Sequence, residues 1–462
     1  MFIIKDEIST VKLLTILVIT CSFSFLFANL PKHSVVICVV LLAAAIIWVK
    51  TDEIDIKVLI SVCFFIYPLL PRFWGLRISE GIPAIHAHRV LSFVIIIILI
   101  RRKLLISYYR NFFKTGIFTK PILLVLISIL LTVFVTENKP GTFFFLVSYI
   151  AETILIPVVI FSTYKTREDI EKFLSALIYP AIILAVLGLY ENYSEYNIYT
   201  IFGIYDESFD ISATLIRGGE LRVMGPFDHP IAFGAYFALV VPFVIYKYKE
   251  QILPLILLLL IFFKVITDTD SRAAQIGFGI IFFVYFLLIS KHKFLFFLFL
   301  PFTLLSGSFR YRLMTLNPFF SGDVVLQGSA NARVEQFNFL KGYIYKNFLL
   351  GHGQVETPLM LRWLSGTGLG NYHNTIDSFY VLYIWLYGLC GLLSWILLMM
   401  FAIIKPIIIF KNDIFDDNLV LLLLSGLISF CIINLVVALF SFHFLFWIYI
   451  GLLTRLMYNY GK

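Results

Sequence analysis

The sequence is poor in charge: Lys, Arg, Asp and Glu make up 14% of its 462 residues, against about 25% in an average soluble domain. With 60% of the chain hydrophobic, there is too little polar surface to cover a soluble fold of this length. Cysteine is sparse as well. Cys21, Cys38, Cys63, Cys390 and Cys431 all fall inside apolar runs, which leaves no disulfide framework in the polar loops. The signatures GxxxxGK[ST], GxSxG and HExxH are missing, and so is any Cys/His metal spacing. Asp268-Thr269-Asp270 has the form of a metal-binding DxD. It sits in a very short turn where capping or exposure explains it equally well, so no metal and no cofactor are assigned. No repeat, low-complexity tract or soluble domain stands out.

What fills the chain instead is apolar runs, many close to the ~20 residues that cross a ~30 Å hydrocarbon layer. They predict an all-α polytopic membrane protein with about 14 transmembrane helices (12–14), forming a single domain over residues 1–462. The expected spans are 11–30, 34–49, 56–70, 88–100, 121–136, 142–162, 172–190, 223–246, 251–267, 272–290, 294–306, 374–404, 419–438 and 440–457. The first is read as retained, because no small-residue cleavage site follows it. The net charge of +8 does not point to nucleic acid, since much of it sits in short loops, where positive charge sets topology. Arg101-Arg102-Lys103 and the lysines flanking His292 mark inner loops, and both termini are expected in the cytoplasm.

The basic residues left on the outer side differ in kind. Arg72, Arg77, Arg89, Arg217, Arg222, Arg272, Arg310, Arg312, Arg333 and Arg362 outnumber the outer lysines, whereas lysine dominates the inner loops. Topology needs charge alone, but the planar guanidinium fork matches phosphate oxygens. Two outer segments exceed turn length: an acidic one over 191–222 and a longer basic one over 306–373. In the second, Val334, Phe337, Leu340, Ile344 and Phe348 recur at helical spacing and predict an amphipathic surface helix over 331–350. Glu152 is the one carboxylate at the middle of an expected span, a placement rarely made for stability. It is expected to pair with an arginine or to face a polar cavity.

Four outer segments carry chemistry: Arg222-Val-Met-Gly-Pro-Phe-Asp-His-Pro230; Thr267-Asp-Thr-Asp-Ser-Arg272; Asn331-Ala-Arg333 with Gly351-His-Gly353; and Tyr372-His373-Asn374 with Tyr387-Gly-Leu-Cys-Gly391. In order, spacing and shared side they resemble the O-antigen polymerase and O-antigen ligase superfamily of membrane glycosyltransferases. The matching features are Arg222, Gly225 and Pro230; Ser271-Arg272 opening a helix; and His373-Asn374 ahead of Gly388 and Gly391. Asp228-His229 and Gly351-His-Gly353 depart from that pattern without removing a basic residue.

The resemblance implies a glycosyltransferase C-like architecture in a bacterial cytoplasmic membrane, with outer loops 191–222 and 306–373 covering the active site. It also implies an undecaprenyl-diphosphate-linked oligosaccharide donor, membrane lipids as partners and a possible chain-length regulator. In that frame His373, Arg272 and Arg222 are the expected catalytic residues. Asn374, Arg333, Ser271, Asp228, His229, His352 and Arg217 are expected to bind substrate. Arginines at helix entries suit a leaving diphosphate, and an imidazole suits removal of a proton from a sugar hydroxyl near neutral pH. Polymerisation is favoured because long outer loops suit a growing chain. Ligation to lipid A core is the second reaction of the superfamily, and a lipid-linked oligosaccharide flippase is the rival class.

Overall fold

The structure is a computed structural model, and it describes residues 54–71, 75–76, 85–199, 216–217, 220–290, 337–338, 340–342, 344–354, 378–410, 417–438 and 440–461. The expected spans 11–30, 34–49 and 294–306 lie outside the described residues, as do Arg333, His373 and Asn374. Apart from two antiparallel ladders of two-residue strands, β1 (Gly75–Leu76) with β2 (Ile85–His86) and β3 (Ile216–Arg217) with β4 (Glu220–Leu221), the elements are helical.

In chain order the helices are α1 (Ile56–Ile66), α2 (Ala87–Arg101), α3 (Leu105–Lys114), α4 (Thr119–Val135), α5 (Lys139–Ser148) and α6 (Leu155–Thr163). They continue with α7 (Arg167–Ser194), α8 (Pro230–Tyr248), α9 (Ile252–Asp268), α10 (Arg272–Val284), α11 (Phe379–Phe410), α12 (Asn418–Asn434) and α13 (Phe444–Tyr460). A π-helical turn, Tyr149–Ile154, joins α5 to α6 into one continuous run. Among the described residues five helical runs are long and apolar enough to cross a membrane, or six if the bent pair α3–α4 counts as one. Helix α3 was expected to be inner loop. It turns by 114° into α4 instead.

Local chemistry starts these helices where it should. Thr166 and Asp169 cap α7 reciprocally. Ser271 Oγ accepts from the Ala274 N–H at the head of α10 (3.3 Å). His229 Nδ1 accepts from the Ile231 N–H at the head of α8 (3.0 Å). Pro230 follows as the first helical residue, a place where its missing N–H costs nothing. Span eight therefore opens at Pro230 rather than Val223, and Arg222–His229 is a structured turn.

Helix α8 is the hub, packed on α7, α9, α10, α12 and α13 and buried at every residue from Ala232 to Tyr246. Outer helices present two different faces. On α4, Ile122, Val125, Ile129 and Thr132 point inward, while Leu123, Ile127, Leu130 and Phe134 are exposed. On α11, Leu393, Leu397, Met400, Ile404 and Ile408 are exposed. Apolar stripes of this extent are a liability in water but suit acyl chains, which makes the chain a membrane protein.

Polar contacts gather the helix ends into two sets. Lys57–Asp169 (2.8 Å) and Arg167–Asp417 (2.9 Å) tie one set, together with Asn459 Nδ2 donating to the Lys165 carbonyl (3.0 Å). Contacts made by Arg222 and Glu191 tie the other.

Candidate functional site

The first two chemistry-bearing segments meet. Arg222 Nε donates to the Thr269 carbonyl (3.0 Å), and the Val223 N–H donates to the Asp268 carbonyl (3.2 Å). These bonds dock the turn ahead of α8 onto the turn between α9 and α10, and so bring together the heads of two helices. Arg222 is 6% exposed and acts here as an organiser of that junction. Arg272 and Ser271 open α10 beside it, with Ser271 buried and Arg272 half-buried. Asp268, half of the DxD, is engaged by Lys264 one helical turn earlier.

A residue that sequence reasoning left in the acidic loop completes the junction. Glu191, near the end of α7, is 3% exposed. Its carboxylate accepts from the Met224 N–H (3.1 Å), the Gly225 N–H (2.9 Å) and Asn197 Nδ2 (3.1 Å). Asn197 Nδ2 also donates to the Gly225 carbonyl (2.8 Å). Three donors around one buried carboxylate fix the backbone of Met224 and Gly225, and with it the direction in which Asp228 and His229 leave the turn. His229 spends its Nδ1 on the cap of α8. Asp228 and His229 are both half-buried. Arg217 is described at its backbone only, where it pairs with Glu220.

The third segment meets the second half of the fourth. Helical residues between 337 and 346 bury Leu340 and Ile344 and expose Lys341 and Lys346, as the amphipathic pattern expects, but Phe337 and Phe348 of the expected apolar stripe are exposed. The chain then enters a break in α11 at Gly388 (φ 63°, ψ −168°). Four backbone bonds seat it. The N–H groups of His352 and Gly353 donate to the carbonyls of Trp385 (3.0 Å) and Leu386 (2.7 Å). The N–H groups of Leu389 and Cys390 donate to the carbonyls of Phe348 (2.8 Å) and Leu349 (3.1 Å). In an unbroken helix Leu389 and Cys390 would bond Trp385 and Leu386 themselves. The loop supplies the partner on each side of the gap.

Side chains hold the loop from α4 and α5. Thr132 Oγ1 donates to the Leu350 carbonyl (2.7 Å), Thr136 Oγ1 donates to the His352 carbonyl, and Thr142 Oγ1 accepts from the Gln354 N–H (2.9 Å). Gln354 Nε2 donates to the Tyr387 hydroxyl (2.7 Å). Tyr387 leads into a buried aromatic group in which Tyr383 lies 4.8 Å from Tyr387 and 5.5 Å from Trp395, ring centre to ring centre. His352 is half-buried, its ring 6.2 Å from that of Trp385 and its Nδ1 3.4 Å from Asn347 Nδ2.

Away from both junctions, Glu152 does pair with an arginine. Arg89 Nε lies 3.2 Å from Glu152 Oε1. Glu152 belongs to the π-helical turn and lines a cleft with Tyr67, Ser92 and Leu155. Extra-residue helical turns of this kind recur at functional sites.

Of the expected site residues, Arg222, Ser271, Arg272, Asp228 and His229 share one junction, and His352 belongs to the other. No protein-family model matches the chain, and comparison with curated proteins finds no match.

Proposed function

We propose that the chain polymerises undecaprenyl-diphosphate-linked O-antigen, or similar surface polysaccharide, repeat units at the outer face of a bacterial cytoplasmic membrane. In this reading the fold is glycosyltransferase C-like with about 14 spans and both termini inside. The observation that carries it is the junction just described: the two arginine-bearing helix entries of the superfamily pattern are hydrogen-bonded neighbours, Arg222 to Thr269 at 3.0 Å. That leaves Arg272 at the head of α10, where its charge adds to the positive potential of the helix N-terminus.

The chemistry is a displacement at an anomeric carbon. An acceptor sugar hydroxyl loses its proton to His373, and its oxygen bonds to the anomeric carbon. The bond from that carbon to the diphosphate oxygen breaks, and undecaprenyl diphosphate leaves with the electron pair. Arg272 neutralises the charge that develops on the leaving oxygen. Arg222 and Glu191 hold the turn that presents it, while Asp228, His229, Arg217 and Arg333 offer polar contacts to sugars. Asn374 orients His373, and His352 lines the second junction.

Deleting the gene separates the reactions. Loss of a polymerase leaves single repeat units on lipid A core, whereas loss of a ligase leaves none attached and lipid-linked glycan accumulating. A glycan ladder of normal length on the deletion strain rules out both. The Arg89–Glu152 pair favours a flippase instead, because charges within apolar helices mark transport paths. Repeat units that never reach the outer face would support that reading.

A further inference from the structure

Helix α3 and its flanks carry Lys103, Arg110, Lys114 and Lys120, and the nearest acidic residues in sequence are Glu80 and Glu137. The helix is two-faced. Tyr108 and Phe112, one turn apart, are buried against α6, where Phe112 meets Phe161 edge-on at 5.8 Å. The Tyr109 hydroxyl donates to the Ile150 carbonyl (2.9 Å), which anchors a second edge. A third line, Ile106-Arg110-Lys114, runs at intervals of four residues along the outward side. On it Ile106 is 80% exposed, while Arg110 and Lys114 are exposed cations.

Three observations converge on what covers this line. The 114° turn between α3 and α4 points α3 steeply away from the axis of a helix with an exposed apolar stripe, the geometry of a helix that lies along a membrane surface. An exposed isoleucine in line with cations matches the boundary between acyl chains and headgroups. Lys103, in the turn into α3, has the left-handed backbone (φ 55°) in which glycine is the usual residue. A lysine stands there at a conformational cost of about 1 kcal/mol.

We infer that α3 is an interfacial helix that binds anionic phospholipid headgroups through Lys103, Arg110, Lys114 and Lys120, with Ile106 in the acyl layer. The occupant is lipid, because the line pairs positive charge with an apolar anchor and offers no carboxylate or amide pattern for a protein partner. The inference does not rest on the proposed sugar chemistry.

The test uses full-length protein in nanodiscs of phosphatidylcholine or of an equimolar phosphatidylcholine–phosphatidylglycerol mixture. The wild-type unfolding midpoint should rise by on the order of 5 °C in the mixture, and the gain should shrink with added salt. A variant with all four residues changed to Gln should match wild type in pure phosphatidylcholine and show no gain in the mixture. Equal wild-type midpoints in both lipids, or a gain retained by the variant, overturn the inference. Independently, an Ile106→Cys protein lacking its native cysteines and labelled with bimane should be quenched by doxyl-labelled lipid. Quenching by aqueous iodide instead, or by neither agent as under a protein partner, also overturns it.

Discussion

Arg167 grips Asp417 with both prongs of its guanidinium: Nη1 lies 2.9 Å from Oδ2 and Nη2 lies 2.9 Å from Oδ1. The pair ties the start of α7 to the start of α12 across 250 residues of sequence. Asp417 has a second task, because its Oδ1 accepts from the Leu419 N–H (3.0 Å) and caps α12. Burial alone would raise the Asp417 carboxyl, but the Arg167 contacts outweigh it and hold the group below the usual carboxylate value.

A pH dependence follows with a definite sign. A carboxyl depressed in the folded state adds stability above its unfolded pKa of about 3.9, and that stability is lost as pH falls through the folded value. Asp417→Asn keeps a good cap and removes the charge. It should cost on the order of 1–2 kcal/mol at neutral pH, since Arg167 is 40% exposed and solvent screens the pair. It should cost much less in strong acid. Detergent-solubilised unfolding midpoints at several pH values check this, and a cost independent of pH would show that only packing was lost.

Gly388 should tolerate no side chain. Its backbone lies in a region open essentially to glycine alone, and a Cβ there would sit 2.3 Å from the Leu349 carbonyl oxygen. Gly388→Ala should therefore cost about 3 kcal/mol or more. Gly279→Ala, in the open middle of α10, should be neutral or stabilise by up to ~1 kcal/mol. Similar folded yields and melting for the two variants would contradict the seated loop.

Arg272→Lys should lose most glycan transfer at normal protein level, because a point ammonium does not reproduce a two-pronged phosphate contact. Arg222→Ala should lose transfer together with stability, as it removes the Thr269 contact and empties a buried site. Lys32→Ala is the control expected to leave glycan length unchanged. A wild-type ladder with Arg272→Ala would reduce that arginine to a topological charge.

His373→Ala and His373→Gln should both slow transfer by on the order of 10²–10⁴-fold while donor binding survives, since an amide cannot take up the proton. Purified protein with a synthetic lipid-linked donor reads both quantities. Wild-type turnover by the Gln variant would move attention to Asp228, Asp268 and Asp270.

The cores of the five helical runs long enough to cross a membrane were legible because each is a long apolar run with few charges. The entry of α10 at Arg272 was legible from the end of an apolar run and from the resemblance, and the arginines from residue type, whereas α8 starts at Pro230, seven residues later than the apolar run suggested. The long-range pairings were not. Trp385 to Cys390 reads as continuous apolar helix, and an isolated glycine within it is usually tolerated, so nothing local revealed a break or the loop that fills it. Glu191 stood at the edge of an acidic stretch, where a solvated carboxylate is the ordinary expectation; its inward turn depends on backbone N–H groups more than thirty residues away. Helix α3 was hidden because its cations mark a loop by charge, while its tyrosine and phenylalanine spacing marks a helix.

The break in α11 also bears on how the chain reaches its final orientation. Residues 347–354 leave the ribosome before α11, so the segment that completes the helix is made first and is paired only when α11 follows. Until it docks, Trp385, Leu386, Leu389 and Cys390 each lack a backbone partner, at several kcal/mol apiece in hydrocarbon. Helix α11 is thus complete only once residues 347–354 are seated in its break.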